Sequence, residues 1–235
     1  MEQDRQFSPQ PSNLGDLKKR IVFGAVLALP VLVIVYFGGP VFTMLVVAAA
    51  IILTHEWKNL IAGENEPKAR LKLEILGIIY ITLPATALIW LREIADSYGI
   101  DGRDAVFWVI LTVWSTDIAG YFVGRKFGDR KLAPTISPNK TWNGAFGALA
   151  AALILSIILT PLMKPQHTVT FIAATLLMSV VSQVGDLLES WIKRKFGAKD
   201  SGSLIPGHGG FFDRVDGLMA AAVFTALIIG AGVFK

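Results

Sequence analysis

Asp213 and Asp216 stand three residues apart at the end of a stretch, 197–217, that reads GAKDSGSLIPGHGGFFDRVDG. On a helix that spacing puts both carboxylates on one face. The preceding Gly207, His208, Gly209 and Gly210 can turn several backbone N–H groups toward an anion. Lys199, His208 and Arg214 add cationic or donor groups. Acids placed at a helix N-terminus for its dipole would account for one aspartate, but not for the glycines and bases around it. Upstream, Ser182, Asp186, Glu189, Ser190 and Lys193 fall at i, i+4, i+7, i+8 and i+11. On a helix they form one polar stripe. Glu189 alone could be an ordinary solvated helix end. Asp186 sits deeper in an apolar run, where a carboxylate is costly and usually functional. A third group lies in 117–144. It holds Asp117, then Gly120, Gly124 and Gly128 at every fourth position, a spacing suited to close helix packing. Ser137-Pro138-Asn139-Lys140-Thr141 follows and predicts a helix start, with Ser137 at the N-cap and Pro138 at N1. A helix N-terminus also suits phosphate. Carboxylates with open positions suit Mg²⁺, and magnesium beside basic residues suits a polyphosphate.

Other chemistries find no support. His55-Glu56 lacks a second histidine four residues on, so it is no zinc-protease helix. No stretch fits G-x-x-x-x-G-K-[ST] or G-x-S-x-G, and the chain has only 3 histidines. Zero cysteines exclude a disulfide framework, a thiolate metal site and a cysteine nucleophile. The net charge of +4 is not evidence for nucleic-acid binding, because membrane proteins carry basic anchors in any case.

The elements that must position these residues are membrane helices. Of 235 residues, 53% are hydrophobic and 17% charged, and the mean hydropathy is +0.56. The apolar residues come in long runs rather than on a narrow stripe, which excludes a soluble enzyme and a disordered chain. The runs predict an all-α polytopic membrane protein of about seven spans. They lie near 21–38, 40–57, 73–91, 105–124, 144–163, 168–188 and 216–234. Lys72, Glu74 and Pro84 in the third predict a kink or a division into two helices. Residues 1–17 read as a disordered tail, 18–104 as N-terminal helices and 105–235 as the region carrying the chemistry. With seven spans, only Arg92, Arg103, Lys164 and Lys235 of the 22 lysines and arginines fall on one side. The positive-inside bias then puts the N-terminus and the long polar connections, 125–143 and 189–215, in the cytoplasm. A site half in the membrane and half in the cytoplasm is where a water-borne nucleotide could meet a membrane lipid.

The run 190–216, SWIKRKFGAKDSGSLIPGHGGFFDRVD, resembles the signature of the phosphatidate cytidylyltransferases, or CDP-diacylglycerol synthases. The upstream SQVGDL at 182–187 is similar to that family's approach to the signature, and DIAGYFVGR with SPNKTW, within 117–142, is similar to its second motif block. Together these cover about the C-terminal half. The position after Trp142, often glutamate in the family, is Asn143 here. The resemblance implies the reaction CTP plus phosphatidate giving CDP-diacylglycerol plus pyrophosphate, with Mg²⁺, alone or with a second metal ion. It implies Asp186, Asp213 and Asp216 as metal ligands, with Asp117 a weaker candidate, and Lys193 as a further catalytic group. Ser137, Lys140, Thr141, Ser190, Lys199, Asp200, His208, Gly209, Gly210 and Arg214 would hold the triphosphate or the lipid phosphate. The expected setting is a bacterial inner membrane with the site facing the cytoplasm, and a homodimer is a further expectation. A CTP-dependent polyprenol or phytol kinase is the alternative, and would want a base near the attacking hydroxyl. A transporter is disfavoured because the polar residues cluster on one face and no internal repeat is visible.

Overall fold

The computed structural model describes residues 28–94, 99–202 and 210–234. Among them are seven helices and one short β-hairpin. The helices are α1 (Ala28–Phe37), α2 (Gly39–Leu60), α3 (Pro67–Glu93), α4 (Gly102–Phe127), α5 (Trp142–Met163), α6 (Thr168–Lys195) and α7 (Phe212–Gly230). Five of them, α2 to α6, are long and apolar enough to cross a membrane. The described part of α1 is shorter, and α7 opens with Asp213, Arg214 and Asp216. The tail at 1–17 lies outside the described residues.

The helix starts follow local chemistry. Glu66 accepts from the N–H groups of Lys68 and Ala69 ahead of α3, whose first residue is Pro67. Asp101 accepts from Arg103 N at 2.9 Å and starts α4. Pro84 does not divide α3: the helix runs unbroken from Pro67 to Glu93, with Pro84 buried. Helix α3 packs on α2, α4 and α7.

The connection between α4 and α5 differs from the sequence expectation. Ser137 is no N-cap. Ser137–Thr141 is a strand, β2, antiparallel to β1 (Lys131–Ala133), with Lys131 opposite Thr141 and Ala133 opposite Ser137. The cap of α5 is Thr141, whose Oγ1 accepts from Gly144 N at 3.1 Å. A hydroxyl in extended conformation immediately before a glycine-rich helix start won over the Ser-Pro pair.

Two interiors hold the bundle. In one, Trp108 of α4 packs on Phe171 of α6 and on Phe234, with ring centroids 4.8 and 5.7 Å away, and its Nε1 donates to Thr175 Oγ1 at 2.9 Å. Thr116 Oγ1 donates to Ser179 Oγ at 2.8 Å one level further along the same helix pair. Hydroxyls paired between helices satisfy groups that lipid could not. In the other, Trp57 of α2, Tyr80 of α3 and Phe212 of α7 stack together, Tyr80 and Phe212 at 5.6 Å. The outer faces carry exposed Met44, Ile51, Ile78, Ile157 and Leu162, as a lipid-facing surface requires. The glycine spacing of α4 is used: a Cβ on Gly144 would lie 2.8 Å from Gly120 O, and one on Gly124 3.0 Å from Thr141 Oγ1. Helices α4 and α5 thus touch backbone to backbone beside the hairpin.

Candidate active site

A cavity of about 710 Å³ opens where α4, the hairpin, α5, α6 and α7 converge. Four carboxylates line it: Asp117 from α4, Asp186 from α6, and Asp213 and Asp216 from α7. The cationic side is supplied by Lys140 of β2, Lys131 of β1, Arg125 of α4 and Arg214 of α7. Ser137, Asn139, Thr141 and Gln183 complete its polar lining. The three sequence clusters, spread over a hundred residues, therefore meet in one place.

Lys140 and Asp186 pair across the elements, Nζ to Oδ2 at 2.5 Å, and Ser190 Oγ reaches Asp186 Oδ1 from the next turn of α6 at 3.5 Å. Asp216 Oδ1 accepts from the N–H of Gly217 at 2.7 Å. Arg125 donates to the Tyr121 hydroxyl at 2.9 Å, which holds the guanidinium along α4.

Asp213 is differently placed. Its Oδ1 is paired with Lys193 Nζ. Its Oδ2 accepts from Ser201 N at 3.3 Å, Ser201 Oγ at 3.2 Å and Gly210 N at 3.0 Å. Both oxygens are occupied by protein donors. Burial works against the ionised carboxylate, and the Lys193 ammonium with the Ser201 N–H outweighs it, holding Asp213 below the ordinary aspartate range. Lys193 is in turn claimed by buried Glu189, Nζ to Oε2 at 2.7 Å. Lys193 thus closes an internal Glu–Lys–Asp chain, where the family resemblance implies a catalytic group.

Other predicted residues sit apart from the cavity. Lys199 and Asp200 are exposed in the turn after α6. Gly210 directs its N–H to Asp213 and not to an external anion. His208 and Gly209 lie outside the described residues. Asn143, in the first turn of α5, donates from Nδ2 to Phe127 O and ties that turn to the end of α4; a glutamate could not make this bond.

Glu56, met in the sequence only beside His55 as half of a rejected zinc-protease motif, has a structural place of its own. It is 3% exposed, on α2, and meets the start of α7. An acid within the last turns of a strongly apolar helix was the available signal.

The donor set of Asp117, Asp186 and Asp216 consists of hard oxygens, which suits Mg²⁺. Among the described residues no three acidic or histidine side chains form a ready-made metal cage. Mg²⁺ commonly binds through one or two carboxylates plus substrate phosphates, and the residues present fit that mode.

Residues 75–231 match the sequence profile of the Cytidylyltransferase family. The chain is 45% identical over 183 residues to a phosphatidate cytidylyltransferase of Brucella suis biovar 1 (strain 1330), covering 78% of this chain and 63% of that protein. It is 39% identical over 155 residues to that of Bacillus subtilis (strain 168), covering 66% and 56%, and 40% identical over 160 residues to that of Haemophilus influenzae, covering 65% and 55%. The chain thus spans less than two thirds of the length of these curated relatives.

Proposed function

The chain belongs to the cytidylyltransferase family, and we propose that it joins CTP to phosphatidate, giving CDP-diacylglycerol and pyrophosphate. The observation that carries this reading is the single cavity in which Lys140, Arg125, Lys131 and Arg214 face Asp117, Asp186 and Asp216. Its charge pattern suits two polyanions that must be brought together.

A phosphate-monoester oxygen of the lipid attacks the α-phosphorus of CTP. The new P–O bond forms as the bond to the bridging α–β oxygen breaks, and pyrophosphate leaves with that electron pair. The lipid phosphate has a second pKa near 6 and is largely dianionic at neutral pH, so no strong protein base is required. Lys140 and Arg125 neutralise phosphate charge on the hairpin side of the cavity, and Arg214 does so from α7. Asp186 fixes the Lys140 ammonium between β2 and α6. Asp186, Asp216 and Asp117 would hold Mg²⁺, which supplies Lewis-acid stabilisation of the leaving oxygens. Asp213 would join them only on release of Lys193 and the Ser201–Gly210 backbone.

The setting proposed is a bacterial inner membrane, with seven spans, a cytoplasmic N-terminus and the cavity on the cytoplasmic face, consistent with the lysine and arginine bias. A homodimer is part of the same proposal.

The test is purified protein with Mg²⁺, phosphatidate and CTP labelled at the α- or the γ-phosphorus. α-Label should enter the lipid and γ-label should appear in pyrophosphate. Passage of γ-label into the lipid would overturn the reading in favour of a kinase. Topology is read separately: the chain has no cysteine, so Arg130→Cys should react only from the cytoplasmic side and Gln166→Cys only from outside. Labelling of both from one side would refute the orientation.

A further inference from the structure

Glu56 is the one acid of α2, ahead of the family-matched segment 75–231. Its carboxylate is buried and fully engaged. Oε1 accepts from Phe211 N at 2.8 Å, and Oε2 accepts from Phe212 N at 2.8 Å and from Ser201 Oγ at 3.3 Å. The first two donors are N–H groups that no helical carbonyl of α7 can satisfy. The third is a hydroxyl that Glu56 shares with Asp213, whose Oδ2 lies 3.2 Å from the same Ser201 Oγ. Two glycines let the carboxylate in: a Cβ on Gly202 would lie 2.7 Å from Oε1, and one on Gly210 3.0 Å from Oε2. Trp57, the next residue, packs at a tilt against Phe212 with ring centroids 6.3 Å apart.

We propose that Glu56 is a positioning residue of the active site, acting through Ser201 to fix Asp213, and through Asp213 the Lys193 ammonium, beside the cavity. It touches no cavity-lining carboxylate directly. Its carboxylate clamps both ends of the connection that leads from α6 to α7, Ser201 on one side and Phe211–Phe212 on the other. Asp213 clamps the same two ends from the cavity side, through Ser201 and Gly210. The two acids thus hold the same two stretches of chain, and the Ser201 hydroxyl is the link between them. A buried carboxylate serving three donors from another part of the chain is costly unless all three are supplied. This geometry supplies the two N–H donors outright and the one hydroxyl proton shared with Asp213.

The inference rests on the cytidylyltransferase reading, so wild-type synthesis of CDP-lipid is measured first. Absence of that product defeats the reading, and the tests below then bear on nothing else. With the wild type active, Glu56→Gln replaces one acceptor oxygen by an NH₂ group facing a protein donor. The expected result is a fall in kcat of roughly ten- to a hundredfold, the equivalent of one or two charged hydrogen bonds, with the KM for phosphatidate within about twofold of the wild type. Ser201→Ala should lower kcat in the same direction at an unchanged melting temperature in the same detergent. Because both act through one hydroxyl, the double variant should be little worse than Glu56→Gln alone. Losses that multiply would mean that Glu56 only caps α7, and normal kcat in either variant would equally overturn the proposal. Should Glu56→Gln fail to fold, Ser201→Ala decides: normal turnover there refutes the link.

Discussion

Lys140 of β2 and Asp186 of α6 meet at 2.5 Å, with side chains 24% and 32% exposed, in the wall of the cavity. The pair connects a hairpin residue to a helix residue that the chain reaches only after α5 and most of α6. A lysine so placed can exchange its carboxylate partner for a substrate phosphate with little movement.

Replacing Lys140 should therefore affect chemistry more than folding. Lys140→Met is expected to lower kcat/KM for CTP by roughly a hundredfold or more, the usual loss when a charge-stabilising donor is removed. Lys140→Arg should keep part of the activity, because the charge remains while the geometry changes. Steady-state kinetics with varied CTP decide it, and a Lys140→Met enzyme within twofold of wild type would remove this lysine from the site.

Asp213→Asn should behave differently from a variant that merely loses a metal ligand. The amide leaves Lys193 and Glu189 buried without their third partner and turns an NH₂ toward the donors of Ser201 and Gly210. Breaking a buried pair of this kind costs roughly 3–5 kcal/mol. The melting temperature should fall together with turnover. The control is Glu74→Gln: Glu74 pairs with Arg70 at 3.3 Å on the surface, where such a pair contributes about 1 kcal/mol or less. An Asp213→Asn protein that melts like wild type would show that the Lys193 pair is not structural.

The acid limb of the rate profile should belong to the substrate. Asp213 has its pKa depressed below the ordinary range. Its contribution to stability is therefore present above the unfolded aspartate pKa and is lost only as pH falls through the lower folded value. The lipid phosphate, with its second pKa near 6, gains a proton in this range. Activity should fall with a midpoint near that value. The midpoint should move when a phosphonate analogue of different acidity replaces phosphatidate, and an unmoved midpoint would assign it to the protein.

The contact between α4 and α5 gives a paired test of packing. Gly144→Ala puts a methyl 2.8 Å from Gly120 O, so backbone must shift, whereas Gly120→Ala meets nothing nearer than 3.7 Å. Overpacking of this sort costs roughly 1–3 kcal/mol. The first variant should melt lower and lose activity, because Gly144 N is also the group that Thr141 caps at the cavity wall. The second should resemble wild type. Equal melting temperatures for the two would refute the close approach.

Much of the organisation was legible without coordinates. Hydrocarbon thickness is a one-dimensional constraint, so the apolar runs of α2 to α6 announce themselves by length alone. The acids that line the cavity also stood out, because Asp117, Asp186 and Asp216 are carboxylates in or beside apolar segments, where few have a purely structural reason to be. Lys140, Thr141 and Ser137 also line the cavity. The hairpin was not legible. Ser-Pro favours a helix start locally, and only pairing with Lys131–Ala133 makes Ser137–Thr141 a strand.

Composition and spacing determined by themselves that this chain is a bundle of membrane helices with its acids and bases gathered toward one end. These are properties of single segments, set by the transfer of side chains between lipid and water. Tertiary structure alone decided which charge answers which: Lys140 with Asp186, Lys193 with Glu189 and Asp213, and Glu56 with the first N–H groups of α7. Those pairings depend on how helices distant in sequence pack, and a charge in low dielectric must take whatever partner that packing brings within reach.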